Sequence, residues 1–134
     1  MTVEGEARSL VLPVQDEIYR IAREVIRNAF RHAAAGLIEV EIRYDDDHLR
    51  LRIRDDGKGI DPKILEVGGR SRHWGIPGMR ERAKRIGSQL DFWSEKDAGT
   101  EAELKVPAAK VYEKRQTNKR FRLFRWKSRD GQYS

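Results

Sequence analysis

Residues 37–59 read LIEVEIRYDDDHLRLRIRDDGKG, and this stretch decides the order of the structural elements around it. In segments 37–43 and 49–54, aliphatic and polar residues alternate with the period of two that is typical of a strand. A run of aspartates at 45–47 separates the two segments and predicts the turn of a β-hairpin. Because the aliphatic residues share one face, we predict a sheet that is covered on one side only.

Helical patterns and a second hairpin surround this stretch. Before it, apolar residues recur at helical spacing as far as Gly36, a residue type that often ends a helix. After a long loop without periodicity, Pro77 occupies a position favoured at the start of a helix. The patterns predict, in chain order, a helix at about 16–34, the hairpin, a loop at 56–75, a helix from Pro77 to about Gly87, and strands at about 89–94 and 100–106. The sequence therefore predicts an α/β (α+β) two-layer sandwich, in which a mixed sheet carries helices on one face.

Length and composition limit the possible classes of protein. A chain of 134 residues is long enough for one modest core, and its 38% hydrophobic and 37% charged residues suit a small domain with a polar surface. It has no apolar run of about 18 residues and no signal-peptide pattern. The absence of cysteine excludes disulfides, cysteine zinc sites and thiol chemistry, and fits a cytoplasmic location.

The positive charge is concentrated at the C-terminus. Residues 110–134 hold nine basic and two acidic residues, a net +7, whereas the whole chain carries +6. We divide the chain into a polar lead-in at 1–9, a folded domain at 10–107 and a basic tail at 108–134. Aromatic residues alternate with arginines in the tail, as in segments that bind nucleic acid, anionic lipid or an acidic partner. We favour a solvated, partly disordered extension, and we expect no nucleic-acid or membrane contact.

Polar residues form a line along the first predicted helix. At about 100° per residue, Glu24, Asn28, Arg31 and His32 lie together at the border of the apolar stripe, with Glu17 nearby. A solvated helix flank is the alternative for any one of them. Together, oxygen ligands for Mg²⁺ and a guanidinium for phosphate make a metal–phosphate site the better interpretation.

A carboxylate is predicted to point into the core at the end of the first hairpin. The period of two places Asp55 on the same face as Ile53, where an unpartnered carboxylate is costly. We therefore predict that Asp55 contacts a ligand, whereas Asp56 is interpreted as a turn residue. Gly57 and Gly59 follow, and they allow the backbone to approach a planar ligand closely.

A third candidate is the glycine-flanked segment 75–79, which leads into a helix N-terminus. Such a terminus offers free N–H groups and a favourable dipole to phosphates. The segment is not a P-loop, since the chain contains no GxxxxGK[ST] motif.

In chain order, these motifs resemble the N, G1, G2 and G3 boxes of the Bergerat-fold ATPases. That superfamily includes gyrase, the ninety-kilodalton chaperones, histidine kinases and the mismatch-repair ATPase. The matching residues are Glu24-x-x-x-Asn28 with Arg31-His32-Ala33, Asp55-x-Gly57-x-Gly59, Gly75-x-x-Gly78-Met79, and Gly99-Thr100. The resemblance covers about residues 10–107, and residues 75–83 are similar to the histidine kinase branch with nitrate-type and propeller-bearing sensors.

The resemblance implies roles for the metal and phosphate residues. Asn28 would coordinate Mg²⁺ bridging the phosphates, and Glu24 would orient a metal-bound or nearby water, or assist proton removal. Arg31 would contact phosphate, with His32 beside the nucleotide.

It also implies an adenine pocket and a lid. Asp55 would accept a hydrogen bond from the adenine amine, next to Gly57, Gly59 and Ile60, and Thr100 would complete the pocket. Residues 60–75 would form a lid over the phosphates. The closing end of the lid would be formed by Gly75, Ile76, Gly78 and Met79.

The implied function is binding of ATP and Mg²⁺ and supply of the γ-phosphoryl group for histidine autophosphorylation in a two-component kinase. The phosphoacceptor hairpin of such kinases is absent from this sequence, so we expect no autophosphorylation by the chain alone. The expected partners are that dimerisation and phosphoacceptor domain and, indirectly, a response regulator. We expect the chain itself to be monomeric and cytoplasmic, with a membrane-anchored sensor as parent.

Three alternatives stay open at this point. The first is a free-standing serine protein kinase of the anti-sigma type, which shares the fold. The second is a nucleotide-binding interaction module without catalysis. The third is a nucleic-acid binder that acts through the basic tail.

Overall fold

The computed structural model of the chain describes residues 1–31, 34–59 and 75–114. Its elements are β1 (Thr2–Glu4), α1 (Leu12–Arg31), β2 (Ile38–Tyr44), β3 (His48–Asp55), α2 (Ile76–Arg85), β4 (Gln89–Glu95), β5 (Gly99–Pro107) and α3 (Ala108–Val111). No helix in these described ranges is both long and apolar enough to cross a membrane.

The five strands form one mixed sheet in the order β1-β2-β3-β5-β4. β1 is parallel to β2, and the other neighbouring strands are antiparallel. Both hairpins therefore form as the alternating patterns predict, and they are joined through the central pair β3 and β5. The predicted mixed sheet with helices on one face is confirmed.

The core lies between the sheet and the two longer helices. Cross-strand rows such as Leu51–Leu104–Leu90 line the inner face, because the register places these residues directly opposite one another. Ile21 of α1 and Met79 of α2 belong to the same buried cluster. Each fully buried aliphatic side chain of this kind contributes about 1.5–3 kcal/mol of transfer free energy.

The outer face of the sheet is charged, as the alternation in the hairpin predicts. Arginines of β3 lie between glutamates of β2 and β5. Arg52 and Glu41 are 3.1 Å apart, and Arg50 and Glu103 are 3.5 Å apart. Opposite charges that face each other across strands stabilise the pairing of the strands. The other face of the sheet, which the helices cover, is therefore the face on which an enclosed site can form.

The first helix begins earlier than predicted, at Leu12 and not near Asp16. The structure places Pro13 in the first turn of α1, where its missing N–H breaks no helical hydrogen bond. The added turn carries Val14 to the edge of the core.

Both predicted ends of the folded domain need correction. The polar lead-in at residues 1–9 contains β1, an edge strand too short to show alternation, and Glu4 pairs with Arg43 at 2.9 Å. After residue 107, α3 buries Val111, and the Tyr112 hydroxyl donates to the carbonyl of Asp45 or His48, 2.8 and 3.0 Å away. The rest of the predicted tail, residues 115–134, lies outside the described residues.

Asp56 connects the end of β3 to the start of β2. Its Oδ1 accepts hydrogen bonds from the backbone N–H groups of Gly36 and Leu37 at 2.8 and 2.9 Å. These bonds, that of Leu37 first, hold the pKa of the Asp56 carboxyl below its usual range. Asp56 therefore has a structural role, but it ties the ends of two strands together, whereas the sequence interpretation was only that of a turn residue.

Candidate functional site

The inner face of the sheet ends in a polar row. Asp55 of β3 lies opposite Thr100 of β5, and Thr100 lies opposite Ser94 of β4. The next row inward is apolar and consists of Ile53, Ala102 and Phe92. Three hydrogen-bonding side chains thus border the core at the C-terminal end of β3.

Asp55 is 9% exposed, and its two carboxylate oxygens have different surroundings. Oδ1 accepts hydrogen bonds from the backbone N–H groups of Gly57 and Thr100, at 2.8 and 3.3 Å. Within the described part of the chain, Oδ2 accepts no hydrogen bond. A carboxylate oxygen has lone pairs for acceptance, so Oδ2 is suited to accept from a ligand N–H group.

Two glycines allow the backbone around Asp55 to pack closely. At Gly59, with φ 81°, a Cβ would overlap the carbonyl oxygen of Glu95. At Gly99, with φ 101°, a Cβ would overlap the carbonyl oxygen of Asp55 itself. The packing of the backbone therefore requires glycine at both positions, whether or not a ligand also contacts them.

Two glycine-to-alanine substitutions distinguish this packing requirement from the general effect of alanine on backbone entropy. We expect Gly99→Ala to lower the free energy of unfolding by about 1–3 kcal/mol or more, because its backbone conformation and the adjacent Asp55 carbonyl both oppose a side chain. Gly78 lies in the first turn of α2, and a Cβ there would meet no other atom of the described residues within 4 Å. Gly78→Ala should therefore raise stability by up to about 1 kcal/mol.

Urea unfolding of both variants measures these effects. Equal changes in the two variants would contradict the close approach of Gly99 to Asp55.

The polar flank of α1 meets the N-terminus of α2. Gly75 is the N-cap of α2, and a Cβ there would lie 3.0 Å from Oε2 of Glu24. One turn further along α1, Asn28 is 7% exposed and has polar contacts of its own. The structure thus brings Glu24 of α1 next to the predicted phosphate-binding end of α2.

Glu17, which the helical projection placed near the line of polar residues on the first helix, holds α1 and α2 together. Its carboxylate accepts hydrogen bonds from Arg82 and Arg85 of α2, at 2.9 and 3.4 Å. Partial burial raises the pKa of Glu17, but the bonds from Arg82 and Arg85 outweigh this effect and leave the pKa below its usual value. Glu17 is therefore a structural residue in the described part of the chain.

A groove of about 660 Å³ runs along the solvent side of α1 and α2. Glu24, Gly75 and Gly78 line it, together with three arginines of α1 and one of α2. Asp55 and Thr100 do not line this groove. The described residues therefore form two parts of a candidate site, the polar row of the sheet and the α1–α2 groove.

The other predicted site residues lie in different surroundings. Ile76 and Met79 are buried in the core cluster, so their side chains pack against the sheet and α1. Arg31 is exposed at the end of α1. His32, Ile60 and the lid as far as residue 74 lie outside the described residues, so their predicted roles stay predictions.

Sequence reasoning missed Ser94. Its hydroxyl lies 2.9 Å from Oγ1 of Thr100 and 3.3 Å from the carbonyl oxygen of Gly99. The alternation Leu90-x-Phe92-x-Ser94 was the available signal, because it places Ser94 on the inner face of β4.

The donor set fits a magnesium ion only together with a ligand that brings further oxygens. The described ranges contain no group of three His, Cys, Asp or Glu side chains that would hold a metal alone. Glu24 and Asn28 provide one carboxylate and one amide. Mg²⁺ is commonly bound by one or two carboxylates, waters and substrate phosphates, so these residues suit a metal that arrives with a nucleotide.

Residues 14–110 match the family model described as histidine kinase-, DNA gyrase B-, and HSP90-like ATPase. The chain belongs to this family. The resemblance seen in the four sequence boxes is therefore confirmed at the level of the family, and the branch within the histidine kinases stays a prediction.

Curated relatives and solved structures agree with this membership. The chain is 37% identical over 114 residues to Sensor protein VraS of Staphylococcus aureus and 36% identical to that of Staphylococcus epidermidis, covering 82% of this chain and 31% of each relative. The chain thus spans about a third of their length.

Two solved structures share the fold. The histidine kinase domain of the Erythrobacter litoralis blue-light activated histidine kinase has a TM-score of 0.61 at 21% identity, covering 81% of this chain and 54% of that one. The ATP binding domain of PrrB from Mycobacterium tuberculosis has a TM-score of 0.58 at 18% identity, covering 69% and 67%.

Proposed function

We propose that this chain binds ATP with Mg²⁺ and supplies the γ-phosphoryl group to a histidine on the phosphoacceptor domain of the same kinase. The observation that carries the proposal is the inward carboxylate of Asp55, whose Oδ1 is held by two backbone N–H groups while Oδ2 accepts from no donor among the described residues. An amine on a flat base is a donor of the required kind.

Adenine would lie against the polar row. Asp55 would accept from the exocyclic amine, and Thr100 would border the same pocket, with Gly57, Gly59 and Ile60 on the loop that follows β3. Burial of the carboxylate strengthens such a bond, because water competes poorly for it.

The phosphates would extend toward the meeting point of α1 and α2. The N-terminus of α2 after Gly75 offers N–H groups, Arg31 adds a positive charge, and His32 would lie beside the nucleotide. Asn28 and Glu24 would hold Mg²⁺ directly or through water, and the ion would neutralise phosphate charge when it is bound.

In the transfer, the bond from the γ-phosphorus to the β–γ bridging oxygen breaks, and a bond to an imidazole nitrogen of the acceptor histidine forms. ADP is the leaving group, and the proton of the imidazole ring passes to a base. Glu24 would orient or accept that proton. The protein contributes mainly positioning and charge neutralisation, as is general for phosphoryl transfer.

The wider setting belongs to the same proposal. The curated relatives are named sensor proteins, which supports a parent kinase that is anchored in the membrane and passes the phosphoryl group to a response regulator. The chain would then act on the cytoplasmic side as a monomeric domain that docks on its phosphoacceptor domain.

The test is incubation of the chain with γ-labelled ATP and MgCl₂, alone and with a histidine kinase phosphoacceptor hairpin supplied in trans. We expect acid-labile, alkali-stable label on the hairpin and no label on the chain alone. Acid-stable label on serine of an added protein would favour the serine kinase alternative. Absence of nucleotide binding in calorimetric titration would contradict the proposed function.

A further inference from the structure

The strand β4 has a neighbour on one side only in the described part of the chain. The strand order places β5 along one edge of β4 and no described strand along the other. A free edge presents backbone N–H and C=O groups that can pair with a further extended segment. Trp93 is 52% exposed on this strand. A tryptophan beside unpaired backbone groups favours an interaction surface.

The two faces of β4 have different chemistry. Leu90 and Phe92 belong to the inner face and contribute to the core or pack against it. Asp91 and Trp93 lie on the outer face, opposite glutamates of β5 that are already paired with arginines of β3. Among the described residues, the carboxylate of Asp91 accepts from the Gln89 amide at 3.0 Å and forms no ion pair. A segment that fits this edge therefore needs apolar residues inward and a basic and an aromatic residue outward.

The C-terminal tail contains such a segment. Residues 115–134 hold seven basic residues and one acidic residue, so they carry the whole net charge of +6 of the chain. Within them, residues 120–124 read RFRLF, in which arginines alternate with apolar residues as in a strand. Neither proline nor glycine occurs between residues 115 and 130, so nothing in this part of the sequence opposes strand pairing.

One register gives four residues of this segment a suitable neighbour on β4. It forms two apolar pairs, one pair of opposite charge and one aromatic pair. These pairs are Leu90–Phe121, Phe92–Leu123, Asp91–Arg122 and Trp93–Phe124. Pairs of these kinds stabilise neighbouring strands, and a shift by one residue would turn Arg122 to the inner face and lose all of them.

The tail is long enough to reach the free edge. β5 ends at the same end of the sheet at which β4 begins, since Lys105 lies opposite Gln89, so a segment that turns back there runs parallel to β4. The Tyr112 hydroxyl bonds to the turn between β2 and β3, which lies three to four strand spacings, about 14–19 Å, from the far side of β4. The six residues from Lys114 to Arg120 span up to about 20 Å when extended.

We propose that residues 120–124 form a sixth strand on the free edge of the sheet, parallel to β4. Arg122 pairs with Asp91 on the outer face, and Leu123 extends the inner face beyond Phe92. A second copy of β4 fits this edge less well, because its sequence QLDFWSE brings two acidic residues and no basic one. For these five residues, the proposal replaces the solvated extension that the composition favours. It does not depend on the proposed function.

Because the chain contains no cysteine, disulfide cross-linking of the full chain tests the register directly. Asp91→Cys with Arg122→Cys places two thiols on the same face of neighbouring strands, at a spacing that a disulfide bridges. Asp91→Cys with Leu123→Cys is the matched control, since one residue further the side chain points to the other face. We expect the first pair to oxidise within one chain at least about tenfold faster than the second, because only the first pair meets the geometry of a disulfide.

Non-reducing electrophoresis of dilute protein measures both rates. Equal rates for the two pairs would overturn the inference, since a tail free in solution does not distinguish residue 122 from residue 123. Cross-links between chains in place of cross-links within one would also overturn it, and would assign the edge to a second copy.

Hydrogen exchange of the β4 amides is a second readout that needs no cysteine. Arg122→Pro with Leu123→Pro removes two adjacent N–H groups, one of which must face β4, and Ser128→Pro with Arg129→Pro is the same change outside the pairing segment. We expect the edge-facing amides of residues 89–93 to exchange about tenfold faster than in the wild type with the first pair of prolines, and no change with the second. Unchanged exchange with the first pair would overturn the inference.

Discussion

Asp55→Asn is expected to weaken ATP binding by about tenfold to a hundredfold. The bond from an amine to a charged carboxylate is worth about 1.5–3 kcal/mol, and each 1.4 kcal/mol corresponds to a tenfold change in affinity. In the variant, the amide oxygen can keep the two backbone hydrogen bonds of Oδ1. The amide NH₂ group then takes the position of Oδ2 and presents a donor to the adenine amine, which is also a donor.

The adjacent residue provides the control for this substitution. Asp56→Asn is the same chemical change one position along the chain, and the Asp56 side chain is bound to the backbone of Gly36 and Leu37 on the β2 side. Asp56→Asn should therefore leave ATP affinity within about threefold of the wild type. Calorimetric titration measures both variants, with the thermal midpoint as a check on folding. Equal losses in the two variants would contradict the adenine contact of Asp55.

The arrangement around Asp55 was predictable because two independent signals coincide there. The alternation of β3 places the carboxylate inward, and the cost of burying it demands donors. The structure supplies those donors from Gly57 and Thr100, which belong to two different sequence boxes. A local pattern combined with an electrostatic cost was therefore enough to identify the centre of the candidate site.

The features that the sequence did not reveal depend on contacts between distant parts of the chain. β1 is three residues long, and its pairing with β2 has no local signature. Ser94 stands close to the turn at residues 96–98, where serine is an ordinary turn residue, and its contact with Thr100 becomes visible only in the register of the sheet. The burial of Val111 likewise follows from the packing of α3 against β3, β5 and α1 and not from a visible period.

The second large effect is expected at the metal. Asn28→Ala should lower ATP affinity in MgCl₂ by about tenfold or more, while affinity measured in EDTA changes little. The reason is that the amide oxygen of Asn28 would bind Mg²⁺ directly or through water. Even the loss of an outer-sphere partner of a metal site lowers metal affinity about 10–100-fold. Asp55→Asn, by contrast, should lower affinity by the same factor in both conditions, since the adenine contact does not involve the metal.

The control for Asn28→Ala is Gln15→Ala, which removes an exposed amide from the first turn of the same helix. We expect Gln15→Ala to leave ATP affinity unchanged both in MgCl₂ and in EDTA. Because Asn28 is 7% exposed and has polar contacts of its own, some loss of stability is expected, and thermal unfolding without nucleotide measures it separately. A loss of ATP affinity that is equal in MgCl₂ and in EDTA would contradict the metal role. Asn28 would then act on the nucleotide or on the end of α1, and Glu24 would be the metal residue to test next.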